Sequence, residues 1–141
     1  MSYIQNAIQT KFLGSSITNP GSSVNLFTFN LKPGQSYKLT GMIFTALFQP
    51  AGENSFTYSF SDSGTGISPQ SGIVISKNIT VAGSVAGPVI GFSRFVTMDS
   101  LGTGVLTMAW DTYTLNGTQV ITNATSYMTV EECSQRVTTD W

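Results

Sequence analysis

The chain has no histidine, a single cysteine (Cys133), and charge on only 9% of its 141 residues. Without histidine it has no Ser-His-Asp or Cys-His nucleophile system, no His-ligated zinc, and not the commonest general base at neutral pH. A lone cysteine makes no intrachain disulfide, so packing and subunit contacts must hold the fold. The six basic residues, Lys11, Lys32, Lys38, Lys77, Arg94 and Arg136, stand singly, whereas a groove tracking nucleic-acid phosphates needs several together. Nucleic acid is not an expected partner. The longest apolar runs, such as Met42-Ile43-Phe44, are far too short to span a bilayer, and the segment from Met1 to Asn6 lacks the features of a secretory signal. A soluble chain with no membrane partner is expected. Gly64-Thr65-Gly66 and Gly102-Thr103-Gly104 lack the strand-to-helix setting of a phosphate loop, and no Asp-x-Asp-x-Asp-Gly calcium loop occurs. No cofactor and no dedicated metal site are expected, although Asp99 or Asp111 could hold an ion at a subunit junction.

In place of charge stand Ser, Thr, Asn, Gln and Gly, together with nine Phe, five Tyr and two Trp at a net charge of −1. So many large apolar side chains argue for a packed core rather than disorder. A surface with so little charge favours association, which suits a subunit covered by its neighbours.

Strand signals dominate: period-two alternation, β-branched and aromatic residues, and turn clusters at short intervals. Val24 to Leu31 reads as a strand with Phe27, Phe29 and Leu31 on one face, ended by the turn Lys32-Pro33-Gly34-Gln35. Tyr37 to Phe48 is apolar on both faces, as in a central strand, with Gly41 a candidate bulge or kink. Ser55 to Ser61 alternates strictly between aromatics and hydroxyls. A Ser- and Gly-rich loop from Asp62 to Gly72 follows, then strands over 73–81 and 89–98, a turn over 99–104, and strands over 105–115, 118–122 and 126–132. The expected fold is all-β: an antiparallel two-sheet jelly-roll sandwich of about 8–10 strands. It forms one domain over 1–141, with residues 1–12 a candidate N-terminal arm or first strand. An immunoglobulin-type sandwich fits less well, for want of a Cys pair.

Asp62-Ser63-Gly64-Thr65 resembles the Asp-Thr/Ser-Gly loop of aspartic proteases, and Pro88-Val89-Ile90-Gly91 resembles their later apolar-apolar-Gly element. That resemblance implies two carboxylates sharing a proton across a dimer. Only about 25 residues separate the two elements, however, which leaves little room for a flap. The alternative is a surface turn closed by an Asx bond. Glu131 and Glu132 are adjacent on a strand and point to opposite faces, so they make no paired acid/base site. Trp110 and Tyr113 are a candidate ligand platform, with Tyr127 and Trp141 further aromatics able to stack on a sugar; core or interface packing is the competing role. Ile4, Ile8 and Phe12, spaced at four, together with Tyr127 and the terminal Trp141, are the candidate interface residues.

The stretches Gly104 to Trp110, Thr118 to Ile121 and Ala124 to Glu132, ending Tyr127-Met128-Thr129-Val130-Glu131-Glu132, resemble the closing strands of jelly-roll heads in phage virion structural proteins. Those heads are related in fold to tumour necrosis factor and complement heads. The resemblance covers about 40 residues and implies a homotrimer on a virion, as capsid decoration or cement, head fibre or tail-fibre tip. It further implies no enzymatic activity, synthesis in the host cytoplasm, and partnership with a major capsid or other virion protein. With no stalk sequence in the chain, a decoration or cement subunit is the first reading. The competing class is a binding module, such as a tail-fibre tip, that holds a host-surface glycan or receptor.

Overall fold

The computed structural model describes residues 8–18, 23–48, 55–68, 74–76, 85–114 and 119–133. They form nine antiparallel strands and no helix: β1 (Ile8–Phe12), β2 (Ile17–Thr18), β3 (Val24–Leu31), β4 (Ser36–Phe48), β5 (Ser55–Ser68), β6 (Val74–Ser76), β7 (Val85–Thr114), β8 (Gln119–Thr122) and β9 (Tyr127–Cys133). The hydrogen-bonded path runs β1-β9-β4-β7-β5-β6, with β3 also on β7, and β8 on both β2 and β4.

β7 organises the fold. Its first half, from Val85 to Thr97, pairs with β4. Its second half pairs with β3 on one edge, from Gly104 to Trp110, and with β5 on the other. Between the halves the register against β5 jumps from Thr65↔Thr103 to Ile67↔Met98, so residues 99–102 bulge out opposite Gly66. The turn between β3 and β4 lies alongside: the Gly34 N–H donates to the Asp99 carbonyl at 2.8 Å, and the Met98 N–H donates to the Gln35 carbonyl at 2.9 Å. Three neighbouring ribbons thus bend at one level, which is how a strand passes from one sheet of a sandwich to the other. Gly64 is required at this corner. Its φ is +120°, and a Cβ there would come within 2.6 Å of the Gly104 Cα, a conformation and an approach that only glycine accepts.

The bend folds the β3-β7-β5 layer over the β1-β9-β4-β7 layer, as contacts between layers show. The Tyr58 hydroxyl hydrogen-bonds that of Thr122, on β8 beside β4, at 2.7 Å, and Phe60 meets Phe92 edge-on at 5.8 Å. One core cluster lies between the layers, with Phe27, Tyr37, Leu39, Ile43, Tyr58, Leu106, Met108 and Trp110 fully buried.

The all-β antiparallel sandwich is as expected from the sequence, with several local differences. The expected turn at 99–104 lies inside a single long β7, because both flanks stay paired through the bulge. The expected loop from Asp62 is strand as far as Ser68, since its Ser and Gly residues pair with β7. Alternation in β3 breaks at a bulge between Asn25 and Phe27, so Leu26 and Phe27 are both buried. Gly41 is no bulge: it sits in regular register between Phe92 and Met128, and the irregularity falls between Phe44 and Ala46. A Cβ at Gly41 would strike the Tyr127 carbonyl oxygen of the neighbouring strand and the Phe92 ring, so close approach of β9 and of that ring explains the glycine. Of the strand expected over 73–81, the described part is β6.

Candidate functional site

Asp62 lies at an inward position of β5, and its carboxylate is fully buried. Arg94, at an inward position of β7, grips it with two hydrogen bonds: Nη1 to Oδ1 at 2.9 Å and Nη2 to Oδ2 at 2.5 Å. The guanidinium also lies 4.9 Å over the Phe60 ring. Two charges out of water are tolerable only when paired so closely. This corrects both sequence readings of Asp62: the carboxylate can neither meet a symmetry mate nor close a surface turn, because an arginine from the facing layer saturates it. The signal for it was Arg94 itself, a lone charge at the parity of Ile90, Phe92, Val96 and Met98.

Trp110 is fully buried and stacks on Tyr58, its cross-strand partner, at 5.8 Å and 14°. It presents no ring face to a ligand, which corrects its assignment to a sugar platform. The inward parity of β7 beyond the corner places it in the core. Tyr113 is on the β7 backbone, but its side chain lies outside the described residues, as do Ile4 and Trp141 entirely. Burial pushes the Tyr58 hydroxyl well above its ordinary pKa, and its hydrogen bond to Thr122 only partly offsets this. Burial likewise raises that of Tyr37, whose oxygen accepts from the Lys32 N–H at 2.7 Å. Glu131 and Glu132 do face opposite ways. Glu132 binds the Lys32 ammonium at 2.7 Å and holds its pKa above the ordinary value. Among the described residues no three His, Cys, Asp or Glu side chains gather around a metal-sized site.

The remaining candidates, Ile8, Phe12 and Tyr127, come together on the outer face of the β1-β9-β4-β7 layer. Strand register sets that face out in rows. The first row is Ile8, Glu131, Lys38, Phe95; the second is Thr10, Thr129, Thr40, Ser93; the third is Phe12, Tyr127, Met42, Gly91. Phe44 and Val89 extend it. The Tyr127 ring lies 5.8 Å from Phe12 and 6.5 Å from Phe44. Ile8, Phe12, Val89 and Phe95 are each more than half exposed, and only Val74 and Leu101 are comparably exposed large apolar residues among those described. The sequence identified the β1 and β9 members but not Lys38, Met42, Val89 or Phe95. Strands that are apolar on both faces do not reveal which face is core.

No family model matches the chain, and no curated protein matches it. Solved structures of similar fold exist. T=1 particles derived from infectious bursal virus superpose at a TM-score of 0.56 with 10% identity. The crystal structure of the infectious bursal disease virus particle gives 0.54 with 11% identity, and that of the Gx strain 0.53 with 8%. These alignments cover 90–93% of this chain but 36–38% of the viral chains, so the chain spans little more than a third of their length. What this chain shares with those particle proteins is an all-β antiparallel sandwich fold.

Proposed function

We propose that the chain is a non-enzymatic virion structural protein that acts by packing against copies of itself and against a major capsid or other virion protein. The observation that carries this reading is the likeness to virus-particle proteins over nine-tenths of the chain. An outer sheet face on which aromatic and aliphatic side chains stand exposed supports it, since soluble monomers seldom leave such a face uncovered. In finer form, the chain is a capsid decoration or cement subunit, or a fibre head, made in the host cytoplasm. It forms the homotrimer that its closing strands suggest. The virion role is tested by co-sedimentation of purified chain with particles that lack it. Binding is expected for the full chain. It should be lost when residues 2–12, which include the exposed β1, are removed. Failure of the full chain to bind any virion component would overturn the role, and light scattering at a mass other than three times 15.1 kDa or its multiples would overturn the trimer. A glycan-binding module has less support, because one of its two platform residues, Trp110, is buried.

A further inference from the structure

The outer face of the β1-β9-β4-β7 layer has a pattern that complements itself. A two-fold axis lying in the interface, parallel to the strands and midway between β9 and β4, keeps each row at its own level. It exchanges β1 with the first half of β7, and β9 with β4. In the first row Ile8 then lies over Phe95 of the second copy, and Glu131 over its Lys38. In the second row Thr10 lies over Ser93 and Thr129 over Thr40. In the third, Tyr127 lies over Met42, and the Phe12 ring over Gly91, where no atom stands within 4 Å of a Cβ position. Each level thus matches apolar with apolar, acid with base, hydroxyl with hydroxyl, and ring with gap. Lys38 and Glu131 stand directly across from each other on β4 and β9, and neither closes an ion pair among the described residues, so this pair faces outward as a neighbouring cation and anion.

From this we infer that the face is closed by the same face of a second copy, in a two-fold, layer-on-layer contact. The inference deepens the proposed self-association by naming its surface and symmetry. Net charge of the partner supports the choice of occupant: one cation and one anion side by side suit a face carrying the same pair in exchanged order, and match no partner of strong single sign. Size supports it too. Three strands of seven residues and β1 of five, about 4.8 Å apart with about 3.4 Å rise, give a footprint of roughly 420 Å² per copy before side-chain relief. Two such footprints give about 850 Å², close to the lower bound of about 1,000 Å² for a specific interface. A trimer that also pairs through this face contains six copies.

The test uses the full chain with Cys133→Ser as background. With layers about 10 Å apart, Thr10 and Ser93 of opposite copies face each other, whereas Thr10 lies roughly 17 Å from its own mate. A mixture of the Thr10→Cys and Ser93→Cys chains should therefore give an intermolecular product with a short bis-maleimide, several-fold more than either chain alone. Sedimentation of the unmodified chain over a dilution series should show pairs or sixes. The Lys38→Glu chain and the Glu131→Lys chain should each associate more weakly alone than the parent and more strongly when mixed, where the introduced glutamate of one copy meets the introduced lysine of the other, with circular dichroism unchanged throughout. Equal products from mixed and single chains would overturn the register. A monomer at 100-fold dilution steps up to the highest soluble concentration, or a trimer giving no mixed product, would overturn the pairing. Particle binding is read separately, so a failed pairing that leaves binding intact leaves the virion reading standing.

Discussion

Replacing Asp62 by Asn keeps the shape of the side chain and removes its charge, leaving the Arg94 guanidinium buried at 4% exposure with no carboxylate beneath it. Breaking a buried pair from one side costs about 3–5 kcal/mol, because the surviving charge cannot be hydrated. Unfolding entropy near 2.1 cal/mol/K per residue makes that a fall in Tm of about 10–17 °C for a chain of this length. Urea unfolding followed by tryptophan fluorescence reads the same loss, at one fixed protein concentration so that association does not shift the midpoint. Removing both partners, as Asp62→Leu with Arg94→Met, should recover most of the loss, since apolar groups of similar volume replace an ion pair at little cost. Two results would refute the reasoning: a single variant within about 1 kcal/mol of the parent, or a double variant as unstable as the single. The first would mean that water reaches the pair; the second, that the side chains matter for packing and not for charge.

Other expectations follow from the same structure. Trp110→Ala should destabilise by about 3–5 kcal/mol through the cavity it leaves, and Trp110→Phe by much less, since the indole N–H it removes finds no acceptor among the described residues; equal losses would contradict this, and urea midpoints decide it. Gly64→Ala should cost at least about 1–3 kcal/mol in backbone strain, with the clash against Gly104 added, whereas Gly91, open at its Cβ position within the chain, should accept Ala with little change in the stability of the single folded chain. Tyr37 and Tyr58 have their pKa values raised in the fold, so the stability they contribute is complete below about pH 10 and is lost as pH rises past it. Absorbance at alkaline pH should therefore show their ionisation together with unfolding, and ionisation of all five tyrosines at their ordinary pH in a folded chain would refute it.

Strand placement was legible in the sequence because it depends on local alternation. Ser55 to Ser61 and Tyr127 to Glu132 could hardly be anything else, and β4 announced itself as central by being apolar on both sides. The absence of histidine and of paired cysteines, and the scatter of basic residues, were also properties of the sequence alone. Period two divides a strand into two faces but does not say which is core. Only the tertiary structure could set Tyr37, Leu39 and Ile43 inside and leave Met42 and Phe44 on the outer face with Phe12 and Tyr127. Nor does alternation mark a bend, so residues 99–104 read as a turn between two strands when they are the corner of one. The meeting of Asp62 with Arg94, thirty-two positions apart, follows from that corner: the bend brings two layers face to face, and long-range pairing across them is decided by geometry that no local pattern encodes.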